Sequence, residues 1–280
     1  MKVNEQCALC LWKRQQAFTD NPLYLAEIRK IIDDRSENDC SPYLIYLFNK
    51  VYERYFGTRP SYEKVKRQYN DLLLSMEDTF RNQIKKSDDP LITAFVYART
   101  GNYIDFGALS NVDENAFLSL FNNVSLPERD KTVYESFLSQ RKKGKNFLLI
   151  ADNCGEIVLD KLFLEQLKYY FPQLELTVMV RGGEALNDAT VEDAGYVHID
   201  KTARVISNGE AISGTVYELL SEDAKEAIDN SDIIFAKGQG NYESLAGHGR
   251  HIFYSFLCKC DLFINKFNVP ALTGLFLEET

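Results

Sequence analysis

Three short polar stretches carry the groups best able to do chemistry: Asp152-Asn153-Cys154-Gly155-Glu156, Arg181-Gly182-Gly183-Glu184-Ala185-Leu186-Asn187-Asp188 and Lys237-Gly238-Gln239-Gly240-Asn241-Tyr242-Glu243. Asp152, Asn153 and Asp188 offer only hard oxygen donors, which suit Mg²⁺ or Mn²⁺ rather than a soft-ligand metal. Two carboxylates leave a divalent ion near neutral, with positions open for water and a substrate oxygen. Lys237 can set a point charge on a phosphate, and the glycines beside it let backbone N–H groups approach. Gly155 opens a helix whose N-terminus can also face an anion. Taken singly, each stretch has a plain reading. Asp-Asn after a strand is a turn or cap, Asn187-Asp188 before Thr190 is another cap, and Lys-Gly-Gln-Gly is an ordinary glycine-rich loop.

Their common position is what sets them apart. Asn146-Phe-Leu-Leu-Ile-Ala151 is a short continuous apolar run, as expected of a strand buried on both faces of a parallel sheet. Leu174–Val180, Ala203–Ser207 and Asp232–Ala236 read as further strands. The stripe Ile157, Leu159, Leu162, Phe163, Leu167 reads as a helix after the first strand, and a second helix is expected from Thr215 to Asn230. His251–Leu257 fits strand or helix equally. Ligands of open parallel sheets bind at the carboxyl ends of the strands, and each of the three polar stretches follows a strand directly. All three therefore fall on one sheet edge.

The first half reads as helices. Leu44, Leu47, Phe48, Val51, Tyr52 and Tyr55 follow Ser41-Pro42 at helical spacing, and Tyr62 through Phe80 forms a second stripe. A third helix starts at Asp89-Pro90 and stops at Gly101-Asn102, and a further piece runs through Tyr134, Phe137 and Leu138. The expected fold is α/β, a three-layer α/β/α unit with a mostly parallel sheet, preceded by a helical N-terminal region. The expected division is 1–144, helical, and 145–280, the metal-binding catalytic unit.

The formal net charge is −9, from 41 acidic against 32 basic residues, so neither nucleic acid nor an anionic membrane is favoured as the main partner. Hydrophobic residues make up 45% and charged residues 26%, ordinary for a soluble globular chain of 280 residues. The start, Met1-Lys2-Val3-Asn4-Glu5-Gln6-Cys7, lacks the apolar core of a secretory signal, and no apolar run is long enough for a membrane span. The expectation is a cytoplasmic protein with reduced cysteines. Composition leaves the oligomeric state open.

In Asp152-Asn-Cys-Gly-Glu-Ile-Val-Leu-Asp160, Arg181-Gly-Gly…Leu186-Asn-Asp188, Asn208-Gly209…Gly214-Thr215 and Lys237-Gly-Gln-Gly-Asn-Tyr-Glu243 the sequence resembles the metal-dependent damage-control phosphatases, relatives of acidic-residue carboxyl methyltransferase-like proteins. The likeness continues in Cys7-Ala-Leu-Cys10, Tyr62…Lys66…Asn70, Gly101-Asn-Tyr-Ile-Asp105 and Lys259-Cys260, and so covers nearly the whole chain. It implies a hydrolase of small phosphorylated metabolites, sugar phosphates among them. It also implies metal ligands at Asp152, Asn153 and Asp188 and a cationic phosphate contact at Lys237. Mn²⁺ or Mg²⁺ is the implied cofactor, with Co²⁺ or Ni²⁺ as further options. The Cys7/Cys10 pair resembles the prokaryotic branch. Cys154 departs from the alanine that the family often carries, which adds an oxidisable thiol near the site.

The remaining site residues have roles that follow from their positions. Glu156, Asn241 and Glu243 are candidates for supporting or acid–base groups. Arg181, Gly182, Asn187, Gly238 and Gly240 are candidates for substrate contacts. Asn102 and Asp105 either cap a helix end or reach the pocket from the helical half. The nucleophile is either water or Asp152 itself. Cys7 and Cys10 make a weak zinc signal, since structural zinc wants four ligands and no second pair with such spacing is present. His248, between two glycines, either lines the pocket or sits in a loop. Two other functions stay open: S-adenosylmethionine-dependent carboxyl methyl transfer, and phosphometabolite binding without turnover.

Overall fold

The computed structural model describes residues 2–103, 119–121, 125–140 and 144–280. Helices come first. α1 (Glu5–Phe18) and α2 (Pro22–Asp33) are capped by Asn4 and Asn21, whose side chains accept from backbone N–H groups of the first turn. α3 (Ser41–Phe56) carries Pro42 in its first turn, where the missing N–H costs nothing. α4 (Glu63–Lys86) and α5 (Pro90–Thr100) follow; Asp89 caps α5 by accepting from the Ile92 N–H at 2.9 Å. α6 (Lys131–Gln140) precedes the first strand.

The α/β unit then runs β1 (Asn146–Ile150), α7 (Glu156–Tyr170), β2 (Glu175–Val180), α8 (Val191–Tyr196), β3 (Arg204–Ser207), α9 (Glu222–Asp229), β4 (Ile233–Lys237), α10 (Gln239–Leu245), β5 (Ile252–Leu257), α11 (Asp261–Phe267) and β6 (Gly274–Glu279). The six strands lie in the order β3-β2-β1-β4-β5-β6. Every neighbouring pair is parallel except β5 with β6, which is antiparallel. The order reverses direction between β1 and β4, which makes the carboxyl ends of those two strands the switch point at which ligands of such sheets bind.

Strand parity divides the core. Phe147, Leu149, Val178, Ile233 and Phe235 pack on one face against α4, α5, α6 and α7. Leu148, Ile150, Met179, Ile234 and Ala236 pack on the other against α9, α10 and α11. This is a three-layer α/β/α arrangement, and His251–Leu257 resolves into the buried strand β5. Packing does not follow the expected division at 144/145, because Phe80, Phe95, Tyr134 and Phe137 share one core with β1 and β4. The separate hydrophobic cluster is smaller: α1, α2 and α3 pack on each other through Leu11, Tyr24, Ile28, Leu44, Phe48 and Val51.

The expected helix from Thr215 to Asn230 is shorter than its apolar pattern suggests. Tyr217–Leu219 forms a single 3₁₀ turn, and the α-helix begins only after Ser221, whose hydroxyl accepts from the Ala224 N–H at 3.3 Å. Strand β6 went unread in the sequence. Among the described residues no helix is long and apolar enough to cross a membrane.

Candidate active site

Two strand-end loops are stitched together by their backbones. The Cys154 N–H donates to Asn187 O at 2.9 Å and the Ala189 N–H donates to Asp152 O at 2.8 Å, which makes an isolated antiparallel bridge between Asn153 and Asp188. Residues 35 positions apart are thereby fixed side by side at the β1 edge of the crevice. The third loop closes from the β4 side. Gly238 has φ +82°, and a Cβ there would overlap the Asp152 carboxylate, so only glycine lets the two loops approach this closely.

A buried network orients Asp152. Its Oδ2 accepts from Asn153 Nδ2 at 2.7 Å and from Asn102 Nδ2 at 3.0 Å. Both amides also donate to Glu156 Oε2, at 3.0 and 2.8 Å. With its amino end held between two carboxylates, Asn153 must turn its amide oxygen the other way, where Asn187 Nδ2 donates to it at 3.0 Å. Asp188 is held by the Arg181 Nε, which donates to Oδ2 at 2.6 Å, and by Ser213, whose hydroxyl lies 3.3 Å from Oδ1.

Lys237 corrects the sequence-based expectation. Its ammonium group is fully buried and donates to Glu156 Oε1 at 2.6 Å, Asp160 Oδ1 at 2.7 Å and Ala98 O at 2.9 Å. All three of its donors are engaged, and it does not line the cavity described below, so it is not placed to contact phosphate. Burial alone would lower its pKa, but Asp160 and Glu156 outweigh burial and raise it. Arg181 is likewise sequestered, 1% exposed, with Nη1 donating to Gly214 O and Asn241 Oδ1, each at 3.0 Å. Asn241 is a buried brace whose Nδ2 donates to Lys237 O at 2.6 Å and Ala151 O at 3.2 Å. Gly182 serves close packing on the Gly209–Glu210 backbone, and the Gly238 N–H is spent on Ser255 O. None of these groups faces a substrate directly.

A cavity of about 560 Å³ opens above the two stitched loops. Asp152, Asn153, Asn187, Asp188, Gly240 and Glu243 line its floor and side. The opposite wall comes from α1 and α3, including Arg14, Tyr46 and Asn49. Lys259, Cys7, Cys10 and Cys260 also line it, and sequence reasoning gave the lysine no role. Reading His251–Leu257 as a strand would have put Lys259 on the same sheet edge. His248 is exposed and lies outside the lining, and Asp105 falls outside the described residues.

Charge is unbalanced here. Asp152, Asp188, Glu156 and Asp160 meet two buried cations, Arg181 and Lys237. Burial, then Asp188 and Glu156, push the Asp152 carboxyl up to about 8, against the pull of Lys259 and Arg181. Among the described residues no three His, Cys, Asp or Glu side chains form a ready-made metal cluster. The candidate set is two carboxylates and an amide oxygen, Asp152, Asp188 and Asn153. Its hard oxygen donors and surplus negative charge fit a divalent cation.

Over residues 5–271 the sequence matches the family model described as the damage-control phosphatase ARMT1-like domain. An uncharacterized protein of Methanocaldococcus jannaschii, MJ0202, is 29% identical over 93% of this chain and 90% of its own length. A damage-control phosphatase of Archaeoglobus fulgidus is 28% identical over 93% of each chain. Damage-control phosphatase PH1575 of Pyrococcus horikoshii is 26% identical over 96% of each. The crystal structure of a DUF89 family protein from P. horikoshii shares the fold, with a TM-score of 0.81 across the whole of both chains at 24% identity. The chain belongs to the damage-control phosphatase ARMT1-like family.

Proposed function

We propose that this member of a phosphatase family is a divalent-metal-dependent phosphomonoester hydrolase acting on small phosphorylated metabolites. The observation that carries this reading is the backbone pairing that sets Asp152 and Asn153 against Asp188 on the floor of the cavity. Asp152, Asn153 and Asp188 would hold the ion, Mn²⁺ or Mg²⁺ by their oxygen chemistry. When bound, the ion supplies Lewis-acid polarisation of a phosphoryl oxygen.

The chain's own residues do the rest. Glu156 holds the amino ends of Asn102 and Asn153, and through them fixes the Asp152 carboxylate. Lys237 anchors Glu156 from below, so it positions the network without touching substrate. Asp152 has Oδ2 committed to amides, which leaves Oδ1, 3.8 Å from Arg181 Nη2, as the oxygen it would offer to the ion. Glu243, 8% exposed on the cavity side, accepts from Gln239 Nε2 at 2.6 Å and is the candidate to hold a proton. The helices α1 and α3 wall one side of the cavity.

The test is phosphate release from a panel of sugar phosphates and other small phosphomonoesters, with Mn²⁺, Mg²⁺, Co²⁺ or Ni²⁺ and with chelator. Turnover that requires an added ion and vanishes in Asp188→Asn is expected. Full activity in chelator would sink the metal assignment, and binding of esters without turnover under every ion would sink the hydrolase reading.

A further inference from the structure

We propose that Arg14, on the wall facing the floor of the cavity, sets specificity by binding a second acidic group of the substrate, remote from the reacting phosphate. The proposal rests on the phosphatase reading and narrows its substrate class to phosphate esters that carry a further carboxylate or phosphate.

The size of the cavity requires a second set of contacts. A volume of about 560 Å³ is that of a pocket for a whole metabolite, so the wall opposite Asp152 and Asp188 meets the part of the substrate that does not react. Cys7, Cys10, Leu11 and Arg14 line the cavity from α1, and their spacing places them along one face of that helix. Cys7 stands at the floor end, where Glu243 and Cys260 act on its thiol. Arg14 lies seven residues on, about 10 Å further along the helix axis. Side chains on a helix lean toward its N-terminus, so the Arg14 stem reaches back over the cavity. Its charge is accordingly felt by Glu243 at the cavity side.

The cations of the lining divide by what already holds them. Among the described residues they are Arg14, Arg59 and Lys259, and α3 adds none. Arg59 is spent on its own surroundings, with Nε donating to Glu53 Oε1 at 3.0 Å and Nη2 to Glu184 O at 3.5 Å. Lys259 is engaged, and its charge acts on Asp152. Arg14 is exposed and makes no hydrogen bond or ion pair with the described residues. Its guanidinium therefore keeps all its N–H donors, and that planar fork matches two oxygens of a carboxylate or phosphate at once. The cavity thus offers a place for two anionic groups, one at the proposed metal and one at Arg14. An ester with an uncharged tail leaves the second place unused.

The experiment measures phosphate release with Mn²⁺ from glucose 6-phosphate, 6-phosphogluconate and glucose 1,6-bisphosphate, which differ at the end remote from the 6-phosphate. Wild type, Arg14→Gln, Arg14→Lys and Arg14→Glu are compared. Wild type should favour at least one doubly acidic ester over glucose 6-phosphate by tenfold or more in kcat/KM, as expected of a charge-assisted hydrogen-bonded pair. Which of the two is favoured distinguishes carboxylate from phosphate. Arg14→Gln should bring that ratio close to one, chiefly through KM, because the contact is made equally in the ground and transition states. Arg14→Lys should recover part of the ratio and Arg14→Glu should invert it, which a merely structural role would not do. Melting temperatures should change little, since Arg14 has no partner to lose. A smaller preference for both doubly acidic esters, or one that survives Arg14→Gln, would overturn the proposal. If wild type releases no phosphate from any ester, the phosphatase reading fails and calorimetry with the same three compounds decides this proposal separately. A doubly acidic ester that binds wild type more tightly than Arg14→Gln would then support it, and equal or absent binding would overturn it.

Discussion

Lys237→Met strips the positive charge from a site that keeps both Glu156 and Asp160, each fully buried. Leaving such carboxylates uncompensated costs about 3–5 kcal/mol, so denaturant unfolding should show a large loss of stability. Adding Asp160→Asn should return part of it, and a double-mutant cycle with no coupling would refute the buried ion cluster. Asp152 gives a pH signature. Its carboxyl stands at about 3.8 when unperturbed and about 8 in the fold, so the native state keeps a proton that the unfolded chain has released. Native stability in chelator must therefore fall as pH rises between those values. Asp160, raised to about 7 chiefly by burial, adds to the same trend. Urea midpoints at pH 5 and pH 8 for wild type and Asp152→Asn should show the smaller drop in the variant, since the Asp160 contribution is common to both. Equal drops would remove Asp152 as a source. The stitched pair Asp152 and Asp188 was legible because polar residues at parallel-strand ends have one place to go. Lys237 was misjudged because strand-end position was read without parity: it continues the face of Ile233 and Phe235, which points under α7.

Elements carry the next level of precision. β1 and β4 were readable as continuous apolar runs, and their adjacency at the point where strand order reverses brings their two following loops together. That meeting depends on Gly238. Gly238→Ala would put a methyl group into the Asp152 carboxylate at a backbone angle that non-glycine residues resist. Loss of turnover by roughly 10²-fold or more is expected, with far-ultraviolet circular dichroism unchanged, since β4 and α10 keep their own hydrogen bonds. A fully active Gly238→Ala would show that the two loops are further apart than described. The elements that were not legible fail for local reasons. Val216, Tyr217, Leu219 and Leu220 continue the apolar pattern of α9, yet Ser221 caps the helix behind them, and a capping hydroxyl outweighs a weak propensity. β6 is an antiparallel edge strand with four of its six residues partly exposed, so it lacks the buried run that marked the others.

At the scale of the molecule, the apolar clusters separate α1, α2 and α3 from everything else, whereas the change in sequence texture at 141–145 suggested a boundary further on. Texture failed as a guide because α4 and α6 are amphipathic helices, and α5 a mostly buried one, whose apolar residues belong to the core under the sheet. The α1–α3 cluster meets the α/β unit where α3 packs on α10, and through polar contacts: Tyr46 Oη donates to Glu210 Oε2 at 3.0 Å, and Ser61 Oγ donates to Glu184 Oε1 at 3.1 Å in the segment that follows α3. Such polar contacts are weak individually, and the buried apolar residues of the three helices form a cluster of their own. Local opening should therefore cost less for this cluster than for the sheet. Native-state hydrogen exchange under increasing denaturant should show α1, α2 and α3 amides opening together while those of β1, β4 and β5 remain protected to the global limit. Because α1 and α3 form the far wall of the cavity, Mn²⁺ with inorganic phosphate should raise protection in these helices, by mass action on the closed form. Protection of the α1–α3 cluster equal to that of β4, and unaffected by the ligands, would mean that the wall is a fixed part of the core and not a separately opening unit.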